Sequence, residues 1–367
     1  MNTFKEISFM QYVLAIHGVE VATSILTLPS SLAKTAGTDG WISIILGWML
    51  ATIAGLCVIS FMSKHPGETF QEILIRYTGK TLGKVFMILW IFHATFSAIS
   101  ILFITLFLLQ EWILPHMPRY VIAALFMCSA FPLFRGGVNV IARYAVFVFF
   151  FTLFLPALLL IPLKDSQWLY ILPILKDGWL PILHGVKETA VGFLGFEMAV
   201  LFYPYLKNKQ SAVKGMLIAN TLTLIIYLQI TISCFVYFSP DEITQFLWPT
   251  LTLVKPIKFP FLERLEIIFL SFYIFVFSTA IIPYIFFVID SLRQLFNKPK
   301  WKIPYLVLPF IVILSAVFTL SYEELEILKK WWGFVDYIVG YTFPVLFFLY
   351  VTVYTYWRGG RSREKTG

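Results

Sequence analysis

Two glutamates stand inside long apolar stretches of the sequence in the same five-residue setting, Gly18-Val19-Glu20-Val21-Ala22 and Gly195-Phe196-Glu197-Met198-Ala199. A charge at mid-bilayer costs roughly 2.5–3.5 kcal/mol on insertion scales, so such a carboxylate faces a protein interior or a watery cavity and marks a path for a ligand, an ion or a proton. Two carboxylates ionised close together repel, and a ligand ammonium, Na⁺ or a shared proton relieves the repulsion. His17 directly precedes the first copy, and an imidazole there can pass or sense protons. Glu20, Glu197 and His17 are therefore the candidates for proton or ion coupling. A plainer reading also fits, in which both glutamates are protonated and only hydrogen-bond to a neighbouring helix.

The elements that must hold these residues are membrane spans. Hydrophobic residues make up 59% of the 367 and charged ones only 13%, against about 25% charged in a soluble domain, and the mean hydropathy is +0.83. Apolar runs near the roughly 20 residues needed to cross hydrocarbon occur at Phe9 to Leu32, Trp41 to Met62, Val85 to Leu109, Tyr120 to Phe134, Val140 to Leu163, Thr189 to Leu206, Gly215 to Phe238, Ile267 to Ile289, Tyr305 to Leu320 and Tyr337 to Trp357. Ten spans with short connections predict an all-α membrane protein with a single integral domain over 1–367. Cutting near residue 175 leaves five spans on each side, about 8–163 and 183–357, and an odd number per half predicts inverted repeats.

The repeated Gly-x-Glu pattern then falls in the first span of each half. Glycine beside a buried carboxylate, with Pro29 or Pro204 following, predicts an interruption where unwound backbone lines a central cavity. The alternative is a pair of continuous helices using glycine for close packing. On the first reading Gly18, Val19, Glu20, Leu194, Gly195, Phe196 and Glu197 line a ligand site, with each glutamate following its break and capping its own half-helix. Spans three and eight add Ser97, Ser100, Ser278 and Thr279, and more weakly Phe96, Phe193 and Ser271. Hydroxyls in membrane helices also commonly bond the preceding turn of backbone. His93 is read as a polar packing group.

Charge orients the bundle. Of the 28 Lys and Arg, Lys64, Arg76, Lys80, Lys84, Arg135, Arg143, Lys207, Lys209, Lys214, Arg293, Lys298, Lys300 and Lys302, with Lys5 and the basic C-terminus ending at Lys365, lie on one side and the smaller share on the other, which predicts that both termini are cytoplasmic. The net charge of +8 reads as this bias plus attraction to anionic lipid, with no basic groove suited to nucleic acid. Ser63 to Lys84 predicts a short interfacial helix. Pro162 to Lys187, with Trp168 and Trp179, predicts an external loop at headgroup level. Ser239-Pro240-Asp241-Glu242 carries a helix-start signal, and Arg264 is either a solvated charge or a gate residue paired with an acid. Cys57, Cys128 and Cys234 are separate packing residues without metal or redox spacing. No P-loop, GxGxxG, GxSxG or HExxH is present, so neither an enzyme nor a cofactor is expected.

Several stretches together resemble the B subunits of bacterial spore-germination nutrient receptors: Thr27-Leu28-Pro29-Ser30-Ser31-Leu32-Ala33-Lys34-Thr35-Ala36-Gly37-Thr38-Asp39-Gly40-Trp41, His65-Pro66-Gly67-Glu68-Thr69, Gly79-Lys80-Thr81-Leu82-Gly83-Lys84, Gly195-Phe196-Glu197 and Phe261-Leu262-Glu263-Arg264-Leu265-Glu266. The resemblance covers essentially the whole chain. It implies the amino acid, polyamine and organocation transporter superfamily, with a LeuT-like five-plus-five inverted repeat whose first and sixth helices are broken. It also implies residence in the spore inner membrane beside an A subunit and a lipoprotein C subunit, and sensing of a nutrient such as an amino acid or sugar. Glu20 departs from the family's pattern, in which this turn more often carries small or aliphatic residues, and so leaves an altered ligand class open. A transporter using alternating access is the other function the same site serves.

Overall fold

The computed structural model describes residues 6–260, 264–300 and 302–363. Lys5, Phe261, Leu262, Glu263 and Lys365 lie outside the described residues. The described chain is helical, and its one β-bridge pairs Ile7 with Leu206.

The first predicted span is two helices, α1 (Phe9–Glu20) and α2 (Ser24–Ala36), separated by Val21–Thr23. Ser8 and Gln11 form a capping box that starts α1. A 3₁₀ turn leads into α3 (Gly40–Ser63). Next comes α4 (Phe70–Trp112), which a capping box of Thr69 and Glu72 starts. Gly79 has φ +82°, a conformation glycine adopts without the Cβ penalty, and it sets off the first nine residues of α4 as the short helix the sequence predicts before the third span. There follow α5 (Arg119–Gly136), α6 (Val138–Thr152) and the single turn α7 (Phe154–Leu158).

Residues 161–165 and 168–171 form 3₁₀ turns, and the Leu175 N–H donates to both oxygens of Asp39 at 3.1 and 3.0 Å, tying this loop to the turn before α3. The loop ends earlier than predicted, because α8 (Trp179–Gly192) starts ten residues ahead of the expected sixth span. After a second interruption come α9 (Ala199–Phe202), α10 (Ala212–Tyr237), α11 (Pro240–Ile243), α12 (Pro249–Val254) and α13 (Leu265–Leu295). The helix start at Ser239 is a true capping box with Glu242, but α11 lasts only one turn. Arg264 is exposed and pairs locally with Glu266 at 3.1 Å.

The chain closes with α14 (Val307–Val317), α15 (Tyr322–Asp336), a π-helical turn (Tyr337–Thr342) and α16 (Phe343–Arg363). These last three run as one continuous segment, so the final span begins at Tyr322 and not at Tyr337. The Ser321 and Glu324 capping box fixes that start.

Six segments, including Phe70–Trp112, Leu265–Leu295 and Tyr322–Trp357, are long and apolar enough to cross a membrane. Ten were predicted. The count is lower because α1 and α8, with 12 and 14 residues, are too short to be included, and because α2 is counted together with α3 in the single segment Ser24–Ser63. α1 packs against α10, α6 and α13, while α13 lies along α4 and α2 packs on α8. The interrupted pairs thus occupy the interior, and side chains such as Phe92, Leu125, Phe150, Ile225, Ile313 and Val353 are exposed on the outside. An apolar exterior around a partly polar interior is the arrangement of a protein dissolved in lipid. Cys234 is buried and Cys57 half-buried, but Cys128 is exposed, so the packing role expected for all three holds for two.

Candidate functional site

The two interruptions touch. Gly195, at φ +126°, lies so close to the first break that a Cβ on it would meet Glu20 N and Val19 C at 2.7 Å. Only glycine fits this approach, and only glycine takes this φ without strain. Broken helix turns leave backbone carbonyls without helical donors, and tyrosine and threonine hydroxyls supply them here. Tyr227 on α10 sits 2.8 Å from the Glu20 carbonyl and 2.7 Å from the Gly192 carbonyl, bridging the breaks. Tyr273 on α13 reaches the carbonyls of Val21 and Ala22 at 3.1 and 2.7 Å. The Tyr341 hydroxyl donates to the Ala190 carbonyl.

Around this backbone lie two polar clusters. In the first, Thr223 on α10 stands between His17 Nδ1, at 2.9 Å, and Glu20 Oε2, to which its hydroxyl is hydrogen-bonded. Glu20 Oε1 is buried without a partner. In the second, Glu197 Oε2 accepts from the Gly195 N–H at 2.7 Å and Oε1 from the Tyr284 hydroxyl at 2.6 Å. His93 Nε2 lies 3.7 Å from Glu197, and His93 Nδ1 lies 2.7 Å from Asp336 Oδ1. The ring geometry makes neither contact a hydrogen bond. Ser97 stands 3.0 Å from Asp336 Oδ1 and accepts from Trp332 Nε1 at 3.1 Å. His93, Glu197 and Asp336 are all fully buried. Among the described residues no group of His, Cys, Asp or Glu is arranged to hold a metal ion.

The predicted residues divide accordingly. Glu197 does not follow its break but lies inside it, in the 3₁₀ turn 196–198 between α8 and α9, and it caps the Gly195 N–H and not the helix after it. Glu20 is the last residue of α1, so its break follows it, and Gly18 remains helical. Thr23, not Glu20, occupies the cap of α2, and its side chain makes no cap hydrogen bond. Ser97 belongs to the second cluster, while Ser100 is buried with an unpartnered hydroxyl. Thr279 lies 2.9 Å from the Gly18 carbonyl and also bonds its own helix at Val276. Ser278 joins Tyr144 at 2.7 Å. Ser271 bonds only backbone of its own helix, and Phe96 stacks on outward-facing Phe92. Val19, Leu194, Phe193 and Phe196 are buried. Leu194 packs on Gly340 of the π-helical turn, where a Cβ would meet it at 2.4 Å.

Asp336 is a third fully buried acid, beside the two glutamates the sequence singles out. It was placed one residue outside the tenth span, and the capping box at Ser321, which moves the start of that span outward, was the signal that could have found it. Tyr227, Tyr273, Tyr284 and Thr223 were missed with no signal to find them, because their role depends on which carbonyls and carboxylates tertiary packing brings to them.

Residues 6–326 match the family model for the spore germination protein family. The chain belongs to this family. The resemblance read in the sequence is thereby borne out. Relatives include spore germination protein GerQB of Bacillus cereus, 26% identical over 90% of this chain and 92% of its own length. Spore germination protein YndE of Bacillus subtilis (strain 168) is 28% identical over 85% and 87%. Spore germination protein KB of the same organism is 25% identical over 98% and 97%. Among solved structures, MhsT in complex with L-phenylalanine superposes with a TM-score of 0.68 at 15% identity, covering 96% of this chain and 90% of that one. The chain therefore has the all-helical fold of MhsT.

Proposed function

We propose that this spore germination protein is the nutrient-sensing subunit of a germinant receptor complex in the spore inner membrane. It crosses ten times as two inverted repeats with both termini cytoplasmic, and works with an A subunit and a lipoprotein C subunit. A small nutrient, such as an amino acid or sugar, binds where α1 meets α2 and α8 meets α9. The observation that carries this reading is the Tyr227 hydroxyl held between the Glu20 and Gly192 carbonyls. A ligand that enters between the breaks competes for those carbonyls, so it has different affinity for the joined and parted arrangements. That difference is what converts occupancy into a conformational signal.

Spores carrying Glu20→Gln, Glu197→Gln or both test the reading against a nutrient panel, with immunoblots of all three subunits. An altered dose response at normal subunit levels is expected. An unchanged response would reduce both carboxylates to packing groups, and falling subunit levels would assign them to assembly.

A second reading, an ion-coupled transporter of amino acids or related solutes, draws support from the fold shared with MhsT and from the buried His93, Glu197 and Asp336. Uptake of labelled nutrient by the isolated protein in liposomes would favour it over sensing.

A further inference from the structure

The largest cavity described is not at the glutamates. It lies beside them, where α2 runs outward and α15 begins, and encloses about 570 Å³. That is a volume suited to a small organic ligand. Its inner end reaches Thr23 and Ser24 at the start of α2 and Gly192 at the end of α8, so the cavity opens onto both breaks.

Its wall is basic. Lys34, Lys187, Lys329 and Lys330 line it against two acids, Glu188 and Glu326. Glu326 engages Lys329 at 2.6 Å, and the Lys329 ammonium lies 5.2 Å over the Trp248 ring. Lys34, Lys187 and Lys330 have no carboxylate partner among the described residues. The start of α2 adds partial positive charge, because the first N–H groups of a helix have no intrahelical acceptor and the Thr23 side chain makes no cap bond to them. Ser30, one and a half turns further along α2, also lines the cavity. It is 4% exposed, and its hydroxyl has no hydrogen-bond partner. A buried hydroxyl left unpaired costs free energy, and a ligand oxygen in the cavity removes that cost.

We propose that this vestibule is a binding site for a small hydroxylated organic carboxylate. The free lysines hold the carboxylate, the start of α2 lies beneath it, and Ser30 meets a ligand oxygen. A neutral polyol lacks the charge the wall selects, and a cation is repelled by it. This site is separate from the one between the breaks and does not depend on that reading. A ligand held here reaches the Gly192 end of α8 without entering the Glu197 cluster.

The test uses the full chain in phosphatidylcholine nanodiscs, with L-lactate as the anionic probe and glycerol as its neutral counterpart, measured by calorimetric titration. Saturable lactate binding that weakens as ionic strength rises, with none for glycerol, is expected. Lys187→Gln together with Lys330→Gln should raise the Kd by about tenfold, as loss of a charge-assisted bond implies, and Ser30→Ala by about threefold. The two lysines are exposed, so their replacement leaves the core intact, and the unsubstituted protein decides the question if a variant does not fold. No saturable lactate binding to monodisperse protein overturns the proposal, as does equal binding of glycerol or an unchanged Kd in the lysine variant. Nanodiscs containing phosphatidylglycerol separate a soluble carboxylate from a lipid phosphate: loss of lactate binding there would mean that lipid headgroup is the occupant and would also overturn it. The readout is binding to the isolated chain, not germination, so its failure leaves the reading of the breaks standing, and the reverse holds too.

Discussion

Tyr227 concentrates the chemistry of the two breaks in one hydroxyl. Its oxygen lies between the carbonyls of Glu20 and Gly192, which belong to chain segments far apart in sequence. Tyr227→Phe keeps the ring, which packs edge-on against Phe193 at 5.2 Å, and removes only the donor. Two buried carbonyls then share the loss, at about 1–3 kcal/mol. Thermal unfolding of the purified variant should show a lowered Tm, and an unchanged Tm would mean that the carbonyls find another donor. The sequence made Glu20 and Glu197 legible because acids in apolar runs are rare. It could not single out Tyr227, one of 18 tyrosines, since nothing in its neighbours shows which carbonyl it will meet. Thr223→Val tests the other cluster. It takes away the hydroxyl that joins His17 and Glu20 and leaves the Glu20 carboxyl with neither oxygen hydrogen-bonded to a side chain, so a stability loss of the same order is expected.

The interruptions are decided between elements. Gly195 is fixed by what it touches: Gly195→Ala places a methyl 2.7 Å from Glu20 N and forces a φ that costs about 1–3 kcal/mol for a residue with a Cβ. Because the obstacle is backbone and cannot rotate away, the two breaks must part. The expected outcome is a large fall in the amount of folded protein in the membrane, and normal levels would show that the breaks can separate without loss of the fold. This second interruption was legible from Gly195 beside a buried carboxylate, with Pro204 following. The first was displaced by about three residues, since Gly18 suggested a break that the Tyr273 hydroxyl, waiting at Val21 and Ala22, draws further along. Capping is the more local signal. Ser321→Ala removes the oxygen that accepts from the Glu324 N–H, a loss of about 1 kcal/mol. Hydrogen exchange should rise in the first turn of α15, while α4, capped by Thr69, stays unchanged.

Across the whole molecule, His93 is a contact between the two halves the sequence divides that lies apart from the carbonyls of the first break. It stands on α4 in the first half, and both its neighbours, Glu197 and Asp336, come from the second. Neither acid touches the other in a hydrogen bond, so any dependence between them runs through the imidazole or through the π-helical turn, whose Gly340 lies 4.0 Å, measured from a Cβ, from Glu197 Oε2. Glu197→Gln and Asp336→Asn each neutralise one neighbour of a single ring. After the first substitution the ring has lost one of its two acidic neighbours, and the second substitution acts on a group already changed. Effects on sites that share a partner do not add, and couplings of about 0.5–3 kcal/mol are typical. The unfolding free energies of the two single variants and the double variant in micelles should therefore depart from additivity by an amount in that range. Additive losses would show that the two carboxylates are held independently, Glu197 by Tyr284 and Gly195, and Asp336 by Ser97. In that case a signal arising at α9 has no route to α15 through His93.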